Sequence, residues 1–125
     1  MRRFSLFLTL LFAFVTSVAQ VKIKFELQNI PKSKDSLPDY FLAGNFNDWK
    51  PNNADFKFLK NVEGNYVIEK QLPAGRYEYK ITRGNWTKVE SGAKGNTIGN
   101  RSLKLQNDTT VKVAVLNWAE AVKGI

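Results

Sequence analysis

The chain has 125 residues with no cysteine and no histidine, and its 19 Lys and Arg against 11 Asp and Glu give a formal charge of +8. That length supports one domain. The missing cysteine removes disulfide staples and thiol chemistry, and the missing histidine removes the commonest general base and, with cysteine, most zinc sites. Carboxylates, Lys, Tyr and hydroxyls are what remain for chemistry, which weighs against an enzyme and calls for no cofactor.

In chain order, Met1-Arg2-Arg3 is a positive start, Phe4 to Val15 is an almost unbroken apolar run, and Thr16 to Ala19 ends in small residues. This is the layout of a secretory signal peptide. The apolar run is shorter than the roughly 20 residues a spanning helix needs. The expectation is cleavage after Ala19, with residues 20–125 as a single exported domain whose mature chain does not insert in a membrane. The setting is periplasmic, cell-surface or secreted, and a cysteine-free exported chain fits a bacterial host.

Val21 to Leu27 alternates strictly between apolar and polar and predicts a strand with one buried face. Gln28 to Pro38 reads as a loop, and Asp39 to Ala43 as a second strand ended by Gly44-Asn45. Phe56 to Leu59 is a short third strand, Asn61 to Asn65 a turn, and Tyr66 to Leu72 a fourth strand. After Pro73-Ala74-Gly75, the segment Arg76 to Arg83 is the fifth, with Tyr77, Tyr79 and Ile81 on one face and Arg76, Glu78, Lys80 and Thr82 on the other. Gly84-Asn85 is read as a two-residue hairpin turn with Trp86 to Glu90 returning as a strand. Ser91 to Gly99 is a surface loop; Arg101 to Leu105 and Thr110 to Leu116 are the last strands, and Trp118 to Val122 is one helical turn. Seven or eight short strands with frequent turns predict an all-β, two-sheet antiparallel sandwich.

Four residues stand out for function: Trp49, Lys80, Trp86 and Asn100. Trp49 closes a polar segment in which Asn45, Asn47 and Asp48 offer hydrogen-bonding side chains, and Trp86 follows a tight turn. A flat indole matches the C–H face of a pyranose, and amides and ammonium groups beside it can read hydroxyls. The competing reading places the tryptophans in the core, leaves Lys80 solvated and makes Asn100 a turn residue. Trp118 reads as packing.

The stretch Phe41 to Trp49 resembles the start of family 48 carbohydrate-binding modules, which include the glycogen-binding domain of the AMP-activated kinase β subunit. Leu72 to Arg83 resembles the matching strand of family 48 and family 20 starch-binding modules, and Trp86 to Glu90 with Gly99-Asn100-Arg101 is closer to family 20. The resemblance spans roughly Val21 to Asn117 and implies an immunoglobulin-like fold. It implies that Trp49 and Trp86 stack on glucose units and that Lys80 and Asn100 bond sugar hydroxyls, with Thr97 as a secondary contact from the Asn100 loop. The function implied is non-catalytic binding of an α-glucan such as starch, glycogen or maltooligosaccharide, with a glucan-processing enzyme as a further partner.

Three rivals stay open. The basic residues, among them Lys22, Lys24, Lys57, Lys70 and Lys104, permit binding of an acidic polymer. They form no block of five or six, so nucleic acid is not expected. A structural or protein-binding sandwich would use all three tryptophans as core. A glycosidase would need two facing carboxylates, and Asp48, Glu78 and Glu90 are the available ones near the face.

Overall fold

A computed structural model describes residues 19–32 and 39–119. The predicted leader, the middle of the first loop and most of the predicted C-terminal helical turn lie outside the described residues. The strands within them are β1 (Gln20–Gln28), β2 (Phe41–Gly44), β3 (Leu59–Lys60), β4 (Tyr66–Pro73), β5 (Gly75–Thr82), β6 (Glu90–Ser91), β7 (Arg101–Leu105), β8 (Thr109–Ala114) and β9 (Asn117–Trp118).

They form a β-sandwich. One sheet has the order β3-β4-β1-β8, the other β2-β5-β7, and β6 pairs with β9 in a short third ladder. All the named pairings are antiparallel except β1 with β8, which runs parallel from Ile23↔Thr109 to Gln28↔Ala114. That exception departs from the wholly antiparallel expectation. β1 and β8 lie at opposite ends of the chain, so the connection between them is long enough for a parallel pair. The Asp108 carboxylate accepts a hydrogen bond from Lys22 N at 2.9 Å and ties the turn before β8 to the start of β1.

The period-2 pattern of β1 decides the core. Val21, Ile23, Phe25 and Leu27 are buried while the residues between them are not. They meet Tyr79 and Ile81 of β5, with Phe25 and Tyr79 edge to face at 5.3 Å. Burying a side chain such as Phe25 contributes about 1.5–3 kcal/mol. Trp118, expected as packing, is 1% exposed and stacks on Tyr40 at 5.8 Å.

Three expected elements differ. Ala54–Phe56 is a 3-10 turn rather than the start of a strand, because the Asn53 side chain accepts from Asp55 N and caps it; β3 keeps only two residues. Trp86–Lys88 is also a 3-10 turn; Val89 bridges to Thr82 and the strand itself is confined to Glu90–Ser91. The two-residue hairpin fails because Gly84 has φ +104° but Asn85 is extended at −159°. A wider loop closes instead, with Arg83 N donating to Lys88 O. The chain at 117–118 is a strand paired with β6, so Trp118 belongs to a strand rather than to the expected helical turn, of which Ala119 alone is otherwise described and is 3-10. No helix among the described residues is long and apolar enough to cross a membrane.

Candidate functional site

The site begins where β2 ends. Gly44 O accepts from Asn47 N at 3.1 Å and from Trp49 N at 2.9 Å. The Asn47 side chain is buried inside this turn: its Oδ1 accepts from Gly44 N and its Nδ2 donates to Leu42 O. Asn45 extends the ladder that β2 leaves unfinished. Its backbone N donates to Glu78 O, its Oδ1 accepts from Glu78 N and its Nδ2 donates to Arg76 O. Two of the three polar side chains are therefore used by the backbone, Asn45 at the surface and Asn47 in the interior, and Asp48 is exposed. Phe46 points inward and stacks on Phe56 at 4.9 Å.

The product of this bracing is an unusual backbone. Asp48 and Trp49 have φ of +55° and +57°, the left-handed region that residues with bulky side chains avoid. Each such residue costs on the order of 1–3 kcal/mol and persists only when its surroundings over-determine it. The sequence now runs back over β5, where Thr82 Oγ1 donates to Pro51 O at 2.6 Å. Gly44 is tightly enclosed: a Cβ there would lie 2.5 Å from Glu78 O and 2.9 Å from the Phe46 ring. Gly44→Ala is expected to cost about 1–3 kcal/mol by overpacking against backbone, read as a lowered urea midpoint at unchanged slope.

Trp49 and Trp86 come together. Their rings are 6.3 Å apart and inclined by 41°, an open pair rather than a stack. Trp49 is half-buried and Trp86 is 42% exposed. The turn that replaced the predicted strand is what lifts Trp86 beside Trp49. Lys80 is half-buried on the outer face of β5, opposite Ala43 of β2. On its other side the β5–β7 ladder ends at Tyr79 with Arg101, and exposed Asn100 immediately precedes that strand. The geometry thus brings Trp49 and Trp86 together; Lys80 lies on β5, beside the strand whose following turn carries Trp49, and Asn100 immediately precedes β7. Thr97 is exposed in the loop between β6 and β7 and has no described contact with the other four. That loop is more ordered than its glycines imply, since Gly92 N donates to Asn96 O and Asn117 Nδ2 donates to Ala93 O.

Glu90 does not belong to the exposed site. It is 1% exposed; one carboxylate oxygen accepts from Ile81 N at 2.8 Å, and both accept from Arg101 Nε and Nη2 at 2.8–3.0 Å. Arg101 Nη2 also donates to Ala114 O. Burial acts to lower the Arg101 pKa, but the hydrogen bonds and charge of Glu90 outweigh it and leave the guanidinium above its ordinary value. This clamp joins β5, β6, β7 and β8 at the residue that follows Asn100. The sequence carried a partial signal for it in the Asn100-Arg101 pair, but nothing local marked Glu90 as the partner.

Comparison with known proteins bears on what such a site serves. Residues 41–121 match the pullulanase X25 domain. The chain is 33% identical over 94 residues to an alpha-amylase of Niallia circulans, covering 74% of this chain and 7% of that protein. It is 40% identical over 98 residues to an amylopullulanase of Thermoanaerobacter thermohydrosulfuricus, covering 68% of this chain and 6% of that protein. The chain therefore spans less than a tenth of either relative.

Proposed function

This chain belongs to the pullulanase X25 domain family, and on that premise we propose that it is a non-catalytic module that binds α-glucan. The observation that carries the reading is the open tryptophan pair, 6.3 Å between rings, with Lys80 on β5 and Asn100 immediately before β7 as the polar groups assigned to it. Two inclined apolar slabs suit a bent glucan chain, each taking the C–H face of one sugar. Lys80 donates to hydroxyl oxygens, and the Asn100 amide both donates and accepts. The left-handed backbone at Trp49 supports the reading, because strain of that kind collects where a side chain must be aimed. The resemblance to family 48 and family 20 modules supports the same residue roles, with Thr97 as a peripheral contact. The relatives' names, an alpha-amylase and an amylopullulanase, favour a glucan-processing enzyme as the partner. The leader-like first 19 residues favour export. Catalysis is disfavoured because Glu90 is enclosed by Arg101 and Ile81 N and cannot reach a glycosidic bond.

Two stacked rings and a few hydroxyl contacts give about 5–7 kcal/mol after ordering costs, a dissociation constant of roughly 10 μM to sub-millimolar. The test is migration of residues 20–125 in native gels with and without soluble starch, beside a Trp49→Ala/Trp86→Ala variant whose fold is checked by circular dichroism. The expected result is retardation of the native chain alone, insensitive to added salt because a neutral glucan releases no counterions. An unretarded native chain whose tryptophan fluorescence also ignores β-cyclodextrin would overturn the reading.

A further inference from the structure

The outer face of β5 continues past Lys80 as a lane of polar groups. Glu78 lies opposite Ser102 and Arg76 opposite Lys104 on β7, and β5 runs on through Lys80 to the loop that carries Trp86. Successive outward positions on a strand are about 7 Å apart, so the lane runs about 13 Å from Lys80 to Arg76. These four residues of β5 and β7, together with Tyr77 and Leu103, line a shallow groove of about 210 Å³. All four are exposed, and none has a side-chain hydrogen bond or ion pair with a described residue.

Two features argue that the lane has a use beyond solvation. Arg76 and Lys104 are like charges directly opposed across the ladder, an arrangement that weakens a sheet. Moreover, Asn45 seals the edge of β5 beside Glu78 and Arg76 with three hydrogen bonds, which holds the backbone beneath these side chains in place. A carboxylate acceptor flanked by cationic donors and a hydroxyl suits a ligand whose groups each donate and accept, as vicinal sugar hydroxyls do. A compact anion would meet Glu78 instead.

We infer that the groove between β5 and β7 is an extension subsite that takes the hydroxyls of further glucose units of the same glucan, with Glu78, Arg76, Ser102 and Lys104 as its contacts. This rests on the reading of the tryptophan site given above. It makes the module a selector of chain length: a short oligosaccharide fills the tryptophan pair, and a longer one also occupies the lane.

The experiment is calorimetric titration of residues 20–125 with maltotriose and with maltoheptaose, repeated on a Glu78→Ala/Lys104→Ala variant. Maltoheptaose is expected to bind the native chain about tenfold more tightly than maltotriose. The variant is expected to lose that advantage while its maltotriose affinity is unchanged. An Arg76→Ala/Ser102→Ala variant tests the same lane independently should the first pair fail to fold. Maltoheptaose binding that is unchanged in a folded variant overturns the extension and leaves the tryptophan site standing. If neither sugar binds the native chain, the tryptophan site falls and the extension falls with it.

Discussion

Arg101→Met is expected to destabilise the domain by about 3–5 kcal/mol. The substitution keeps much of the arginine's bulk but strips the buried Glu90 carboxylate of its bidentate partner, leaving Ile81 N as its remaining described donor. It also removes the donor to Ala114 O. A carboxylate that is 1% exposed cannot recover these bonds from water, so it carries its desolvation cost uncompensated. The check is a urea unfolding curve, in which the midpoint falls sharply. A second variant, Glu90→Leu/Arg101→Met, removes both charges and is expected to recover much of the loss, because an apolar pair of similar volume replaces an ion pair at little net cost. A loss below about 1 kcal/mol in Arg101→Met would mean that Glu90 finds another partner and that the clamp is incidental. The double variant also separates stability from function: a folded domain with weakened starch retardation would assign the clamp a role in positioning Asn100.

The second large effect is expected at Asn47. Asn47→Ala leaves Gly44 N without its acceptor and Leu42 O without its side-chain donor in a buried turn. Each orphaned group costs about 1–3 kcal/mol, giving a total of about 2–6 kcal/mol. Asn47→Asp is not expected to rescue it. The carboxylate still accepts from Gly44 N, but it turns an oxygen toward the Leu42 and Lys50 carbonyls, where the amide nitrogen donates. The same bonds hold the left-handed Asp48 and Trp49, so glucan affinity should fall about tenfold in any Asn47→Ala protein that still folds, close to the effect of Trp49→Ala. Thermal melts and starch-gel retardation on one preparation check both halves. Normal retardation in a destabilised Asn47→Ala protein would show that Trp49 is aimed by something other than this turn.

These two residues mark the boundary of what the sequence made legible. The alternation of Val21 to Leu27 and of Arg76 to Thr82 placed two strands and their inward faces nearly where they lie, because a strand's period of two is written into adjacent residues, and Tyr66 to Leu72 was legible as a strand. The all-β sandwich follows from those patterns and the turns between them. The segment Gly44 to Trp49 and the residues Lys80, Trp86 and Asn100 could be singled out in the same way, as indoles and polar groups at strand ends.

What only the tertiary structure decided is which groups meet. Asn45 and Asn47 read as ligand-facing amides, yet backbone donors and acceptors as far away as Glu78 claim them. Glu90 read as a surface carboxylate, yet Arg101 arrives from the next strand and Ile81 from the previous one to bury it. Trp86 stands beside Trp49 because Asn85 is extended and a 3-10 turn replaces a hairpin. The parallel pairing of β1 with β8 joins segments some eighty residues apart. Residue type and period fix what a segment can bury, since those depend on neighbours in the chain. Which polar groups find partners, and which stay free for a ligand, depends on register and approach between distant segments, and these exist only once the core has closed.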